Sequence, residues 1–79
     1  MSKMNKTRYS IPNADLMRAE VGATSSSLAN AASLSRAVVA DIMNGVKKPK
    51  TSCERVINGL KKLGHPTASY QDIVEHREG

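Results

Sequence analysis

The chain has 79 residues, with twelve Lys or Arg against seven Asp or Glu, a net charge of +5, two Tyr, no Trp or Phe, and a single cysteine. That length holds one small domain with an aliphatic core and no internal disulfide, and a reducing, cytoplasmic setting is expected. No apolar run approaches the roughly 18 residues of a membrane span, and the basic start Met-Ser-Lys-Met-Asn-Lys-Thr-Arg has no hydrophobic segment behind it, so it does not read as a secretory signal.

The charge is uneven. Residues 1–65 hold eleven Lys or Arg against four Asp or Glu, or +7; residues 66–79 hold Arg77 against Asp72, Glu75 and Glu78, or −2. A basic body with an acidic tail suits a polyanion ligand.

In chain order, residues 1–10 lack apolar periodicity and read as a flexible basic arm, with Lys3, Lys6 and Arg8 able to track a groove. Pro12 and Asn13 announce a first helix, with Asn13 as N-cap, Asp15 in the first turn and Gly22 closing it. Ala14, Met17 and Val21 share its inner face. Thr24 caps a second helix running to about Ala32, Ser33-Leu34-Ser35 forms a turn, and Ser35 caps a third helix that Asn44-Gly45 ends.

Counted from Ser25, this stretch carries the spacing of a helix-turn-helix. Leu28 is apolar at the fourth position, Ala29 small at the fifth, and Ala32, Leu34, Val39 and Ile42 apolar at the eighth, tenth, fifteenth and eighteenth. Two helices crossing steeply over a short turn need a small residue at the crossing and a shared apolar core behind it. The third helix is then left free to enter a DNA major groove.

Val46-Lys-Lys-Pro-Lys50 reads as a basic loop. Thr51 or Ser52 is expected to cap a fourth helix, whose Cys53, Val56, Ile57, Leu60 and Leu63 follow helical spacing. Gly59 inside it costs roughly 1 kcal/mol relative to Ala, which close packing would explain. Gly64-His65-Pro66 stops the helix. Ser69 with Asp72 resembles a capping box for a short fifth helix, with Tyr70, Ile73 and Val74 on one face, either a dimer patch or folded back on the core. No strand pattern is found. The expectation is all-α, with four to five short helices: an arm over residues 1–10, a helix-turn-helix domain over 11–66, and a short C-terminal helix or tail over 67–79.

The outward face of the third helix presents Arg36, Ala37, Ala40 and Asp41 as candidate base contacts. Arg36 in the first turn has the fork that pairs with guanine, and Asp41 accepts from a base amino group or pairs with Arg36. Ala37, and Val38 if it leans outward, would meet thymine methyls. Candidate phosphate contacts are Thr24, Ser25 and Ser26 at a helix N-terminus, and Asn44, Lys47, Lys48 and Lys50 at the other flank. His65 and His76 have no partner at ligand spacing, so no metal is expected. Ser25-Ser26-Ser27 has no activating base, and no catalytic constellation is found, so the chain does not read as an enzyme.

Leu28-Ala-Asn-Ala-Ala-Ser-Leu-Ser-Arg-Ala-Val-Val through Asn44-Gly45 resembles the lambda-repressor-like DNA-binding superfamily. Arg18 and Gly22-Ala-Thr24 are similar to the phage repressor and Cro type. Ser35-Arg-Ala-Val-Val, Asn44-Gly45 and Glu54-Arg-Val-Ile-Asn-Gly-Leu-Lys-Lys-Leu-Gly64 look like the headpiece of the lactose-repressor family. Together the resemblance covers about residues 14–65. It implies sequence-specific binding of double-stranded DNA, usually as a homodimer on a palindromic operator, by a phage-type or mobile-element transcriptional regulator. It also implies base-reading roles for Arg36, Ala37 and Asp41.

The chain departs from the pattern at three positions. Ser33 stands where the turn usually has Gly, Ser25 where a Gln often meets phosphate, and Met43 where phage-type members place an acid, leaving Arg18 without its expected partner. No ligand-binding domain is expected after the motif, so induction by a small-molecule ligand of the lactose-repressor kind is not expected; no cofactor is expected either. The alternative from another class is a helix-turn-helix interaction module that binds another regulator, polymerase or toxin, a reading kept open by Ala37, Ala40 and Asp41.

Overall fold

A computed structural model describes residues 7–77. It is mostly helical, with four helices and one small sheet: β1 (Arg8–Ser10), α1 (Ala14–Glu20), α2 (Ser25–Ala32), α3 (Arg36–Met43), α4 (Lys50–Lys62), a 3-10 turn (Tyr70–Asp72) and β2 (Val74–His76). Among the described residues no helix is long and apolar enough to cross a membrane.

Side-chain caps start α2 and α3. Thr24 Oγ1 accepts from the Ser27 amide at 3.0 Å and Ser27 Oγ accepts from the Thr24 amide at 2.9 Å, a reciprocal box closed by Ser rather than the usual Glu. Ser35 Oγ accepts from the Val38 amide at 3.2 Å. Asn13 stands at the start of α1, but its side chain makes no capping bond. In α4 the expected cap at Thr51 or Ser52 is corrected: the helix begins at Lys50, directly after Pro49, whose carbonyl accepts from the Ser52 and Cys53 amides. Proline's fixed φ is already suited to the residue before the first turn.

All four helices end in the same pair of crossed backbone bonds, which require a left-handed residue just past the helix. For α3 the bonds run from Gly45 N to Ile42 O and from Val46 N to Asp41 O, with Gly45 at φ 85°. For α2 they run from Ser33 N to Asn30 O and from Leu34 N to Ala29 O, and the left-handed residue is Ser33 at φ 59°. The serine therefore takes the geometry that glycine would adopt more readily.

The core is aliphatic, built from Ile11, Ala14, Met17, Leu28, Ala29, Val39, Ile42, Cys53, Val56, Ile57, Leu60 and Ala68. The helix pair α2 and α4 forms its centre. A Cβ built on Gly59 would lie 3.0 Å from Ala32 Cβ and 3.0 Å from Ala32 N, so only glycine lets these backbones approach this closely. Leu63, expected on the inner face, instead sits at the C-cap of α4 and is exposed. Burial pushes the Cys53 thiol up to about 11, with the charge of Glu54 adding to the shift.

The expectation that no strand occurs is corrected at both ends of the described segment. Arg8, Tyr9 and Ser10 pair antiparallel with His76, Glu75 and Val74. Residues 1–6 of the expected arm, including Lys3 and Lys6, lie outside the described residues, as do 78–79. The expected fifth helix is a single 3-10 turn leading into β2. Three-residue strands carry too little alternation to register as a period, and their partners are far apart in sequence.

His65 fastens the segment that leads to β2. Its buried ring accepts at Nδ1 from the Thr67 and Ala68 amides, at 3.2 and 3.0 Å. Nδ1 therefore carries no proton, and Nε2 donates to Glu20 Oε1 at 2.7 Å. One imidazole thus ties the end of α1 to the chain beyond α4.

Candidate nucleic-acid interface

The N-terminus of α2 and the outward face of α3 border one open groove of about 570 Å³, lined by Thr24, Ser25, Ser26, Arg36, Ala37 and Ala40. Five of these lie near the start of a helix, where amides point outward and the helix dipole favours an anion. The capping box consumes the Thr24 hydroxyl. The amides of Ser25 and Ser26 have no backbone or side-chain acceptor among the described residues, so they are the donors available to an anion.

Arg36 is exposed, and its Nη1 donates to Ser26 Oγ at 3.2 Å. That bond spans the groove between the two helices and leaves the rest of the guanidinium fork uncommitted. Ala37 is exposed and Ala40 half-buried. Val38 does not lean outward: it is partly buried and packs on the core, with Met43 beside it.

Asp41 does not line the groove. Its Oδ2 is 2.9 Å from Lys48 Nζ, and this replaces the intrahelical pair with Arg36 that the sequence also allowed. Lys48 is fixed twice, since its backbone also bridges to Tyr9. Asn44, Lys47 and Lys50 are exposed beyond the end of α3 and outside the groove lining. Arg18, expected to lack a partner, has two: the Asp15 carboxylate at 2.9 Å and the Ala23 carbonyl at 2.6 Å. The latter braces the short link into α2.

Sequence reasoning brought together the groove residues but missed the Asp41–Lys48 pair and the Tyr9 bridge. No spacing rule links residues 41 and 48, which meet only because the turn at Gly45 reverses the chain. The Arg36–Ser26 bond is likewise a product of the helix crossing. Ser27 was discoverable, three residues after the capping Thr24.

A second polar groove of about 320 Å³ lies at the other end of α2, lined by Ala31, Ala32, Ser33, Arg55, Asn58 and Lys62. Arg55 Nη1 donates there to the Ser33 carbonyl at 3.3 Å, supporting the strained turn. Among the described residues no group of three His, Cys, Asp or Glu is placed to hold a metal ion. No protein-family model, curated protein or solved structure matches the chain.

Proposed function

We propose that this chain is a sequence-specific double-stranded DNA-binding regulator of transcription. In this reading α2 and α3 form a helix-turn-helix of the lambda-repressor-like kind, and α3 enters the major groove as one half of a homodimer on a palindromic operator. The observation that carries it is the groove itself: free amides at the start of α2 sit beside Arg36, with small residues alongside that let a duplex approach. The α2 amides would hold a phosphate and Arg36 would read a base edge. Lys47 and Lys50, and Lys48 once it parts from Asp41, would add sequence-independent attraction.

The test is an NMR titration of the chain with short duplexes at two salt concentrations. Shifts confined to Thr24–Ser26, Arg36–Asp41 and Lys47–Lys50, weakening with salt, are expected. Absence of any shift at low salt defeats the reading. Arg36→Ala should flatten discrimination between duplex sequences, and unchanged preference would remove α3 from the base-reading role.

The Asp41–Lys48 pair favours a second reading. It neutralises one of the lysines beside α3, and a surface of alanines and a closed ion pair also suits a protein partner. In that case the same titration stays silent with DNA.

A further inference from the structure

The polar groove at the C-terminal end of α2 has no part in the reading above and shares no residue with the groove beside Arg36. Arg55, Asn58 and Lys62 stand at i, i+3 and i+7 along α4, so the helix brings them to one exposed face. Among the described residues neither Arg55 nor Lys62 makes an ion pair, whereas Arg18, Lys48 and Arg77 each do. Glu54 precedes Arg55 but does not line the groove. One Arg55 nitrogen is committed to the Ser33 carbonyl, and the rest of the fork is open.

The α2 side of the same groove supplies acceptors. The turn at Ser33 uses the Ala29 and Asn30 carbonyls. The next two carbonyls, of Ala31 and Ala32, accept no hydrogen bond among the described residues. They stand at the negative end of the helix dipole. Cations from α4 therefore lie beside unpaired carbonyls from α2. We infer that this groove binds an extended acidic segment of another protein. A carboxylate of the segment sits between Arg55 and Lys62, and its backbone N–H groups meet the last carbonyls of α2.

The mixed lining decides the occupant. A DNA backbone brings acceptors alone, so it has nothing to offer the α2 carbonyls and is repelled by them. An extended acidic peptide brings both partners: a carboxylate that matches the guanidinium fork in two bonds, and a backbone with N–H donors. The rim also suits a protein. Tyr70 is exposed there, with its hydroxyl accepting from Asn58 Nδ2 at 3.0 Å and Lys61 Nζ 5.4 Å from its ring centre. Tyr and Arg are the side chains that most often anchor protein interfaces. Arg55, Lys61 and Lys62 together repel a basic segment, which fixes the sign of the partner's charge. Because the two grooves share no residue, this site requires no DNA.

The test is an NMR titration of the full chain with a short, end-blocked peptide of alternating Glu and Gly. The same peptide with Gln for Glu, and a short oligothymidylate, run beside it. Shifts centred on Ala31–Ser33, Arg55, Asn58 and Lys62 are expected with the Glu peptide, and the Gln peptide should lose them. Arg55→Gln should weaken peptide binding by about tenfold and Lys62→Gln by about threefold. Arg36→Ala should leave it unchanged. Circular dichroism checks folding; should Arg55→Gln unfold by losing its bond to Ser33, Lys62→Gln still decides, since Lys62 makes no side-chain bond among the described residues. A groove silent to the Glu peptide overturns the inference, as does equal binding of the Gln peptide. Shifts confined to Lys47–Lys50, or tighter binding of oligothymidylate in this groove, overturn it too. Peptide shifts in a chain that ignores duplex DNA would leave this site standing without the DNA reading; duplex shifts on α3 with a silent groove would do the reverse.

Discussion

Tyr9 and Lys48 exchange both backbone hydrogen bonds, each at 2.8 Å, so the loop between α3 and α4 is bolted to the first strand. The Lys48 side chain is held from the other direction by Asp41. A basic loop that the sequence presents as free is thereby given a fixed position beside α3. Tyr9→Pro removes one of the two donors, worth about 1 kcal/mol. Hydrogen exchange at the Lys48 amide should quicken by several-fold while the amides of α2 and α4 keep their protection. Unaltered protection at Lys48 would show that the bridge contributes nothing to loop order.

Asp41→Asn should release the Lys48 ammonium for phosphate. If the chain binds DNA, its affinity should rise several-fold for all duplexes alike, and the log–log salt dependence should steepen by up to about 0.9. Binding isotherms at a series of salt concentrations measure both. A loss confined to particular sequences would instead assign Asp41 to a base, and no change at any salt would mean that Lys48 meets no phosphate.

Gly59 and Ser33 make opposite predictions about glycine. Gly59→Ala improves helix propensity by about 1 kcal/mol, yet its methyl meets Ala32 backbone atoms at 3.0–3.1 Å. Overpacking of about 1–3 kcal/mol should win, lowering the urea midpoint. Ser33→Gly relieves a left-handed residue at φ 59° and should raise stability by up to about 1 kcal/mol. A stabilised Gly59→Ala would mean that α2 and α4 can separate at little cost.

Cys53 predicts the alkaline limb of stability. Its thiol rises from 9.0 to about 11 on burial. Below pH 9 both folded and unfolded chains hold the proton. Between these values the unfolded chain releases it first, so folding loses stability as pH rises. Urea unfolding from about pH 8 to about pH 10.5 should show a steeper decline for the native chain than for Cys53→Ala. The same burial should keep the thiol unreactive toward alkylating reagents until the chain unfolds.

What was legible in the sequence was whatever repeats along a helix. The inner faces of α2, α3 and α4, the caps at Thr24 and Ser35, and the left-handed turn at Ser33 were all local and all readable. The contacts that shape the candidate interface are not local. Asp41 meets Lys48 across a turn, Arg36 meets Ser26 across a crossing, and Tyr9 meets Lys48 across most of the helical body. The two strands escaped notice because three residues hold barely one period of alternation, and His65 because nothing in its neighbourhood announces Glu20.

The sheet also orders events in time. Ser10 and His76, bonded at 2.7 Å, lie 66 residues apart in sequence. Closing so long a loop costs entropy that only an assembled body can offset, whereas the helices and their turns close over a few residues. β1 and β2 should therefore meet last in folding and part first on local opening. A chain caught part-way through folding therefore carries its helices and the groove between α2 and α3 before it carries a sheet.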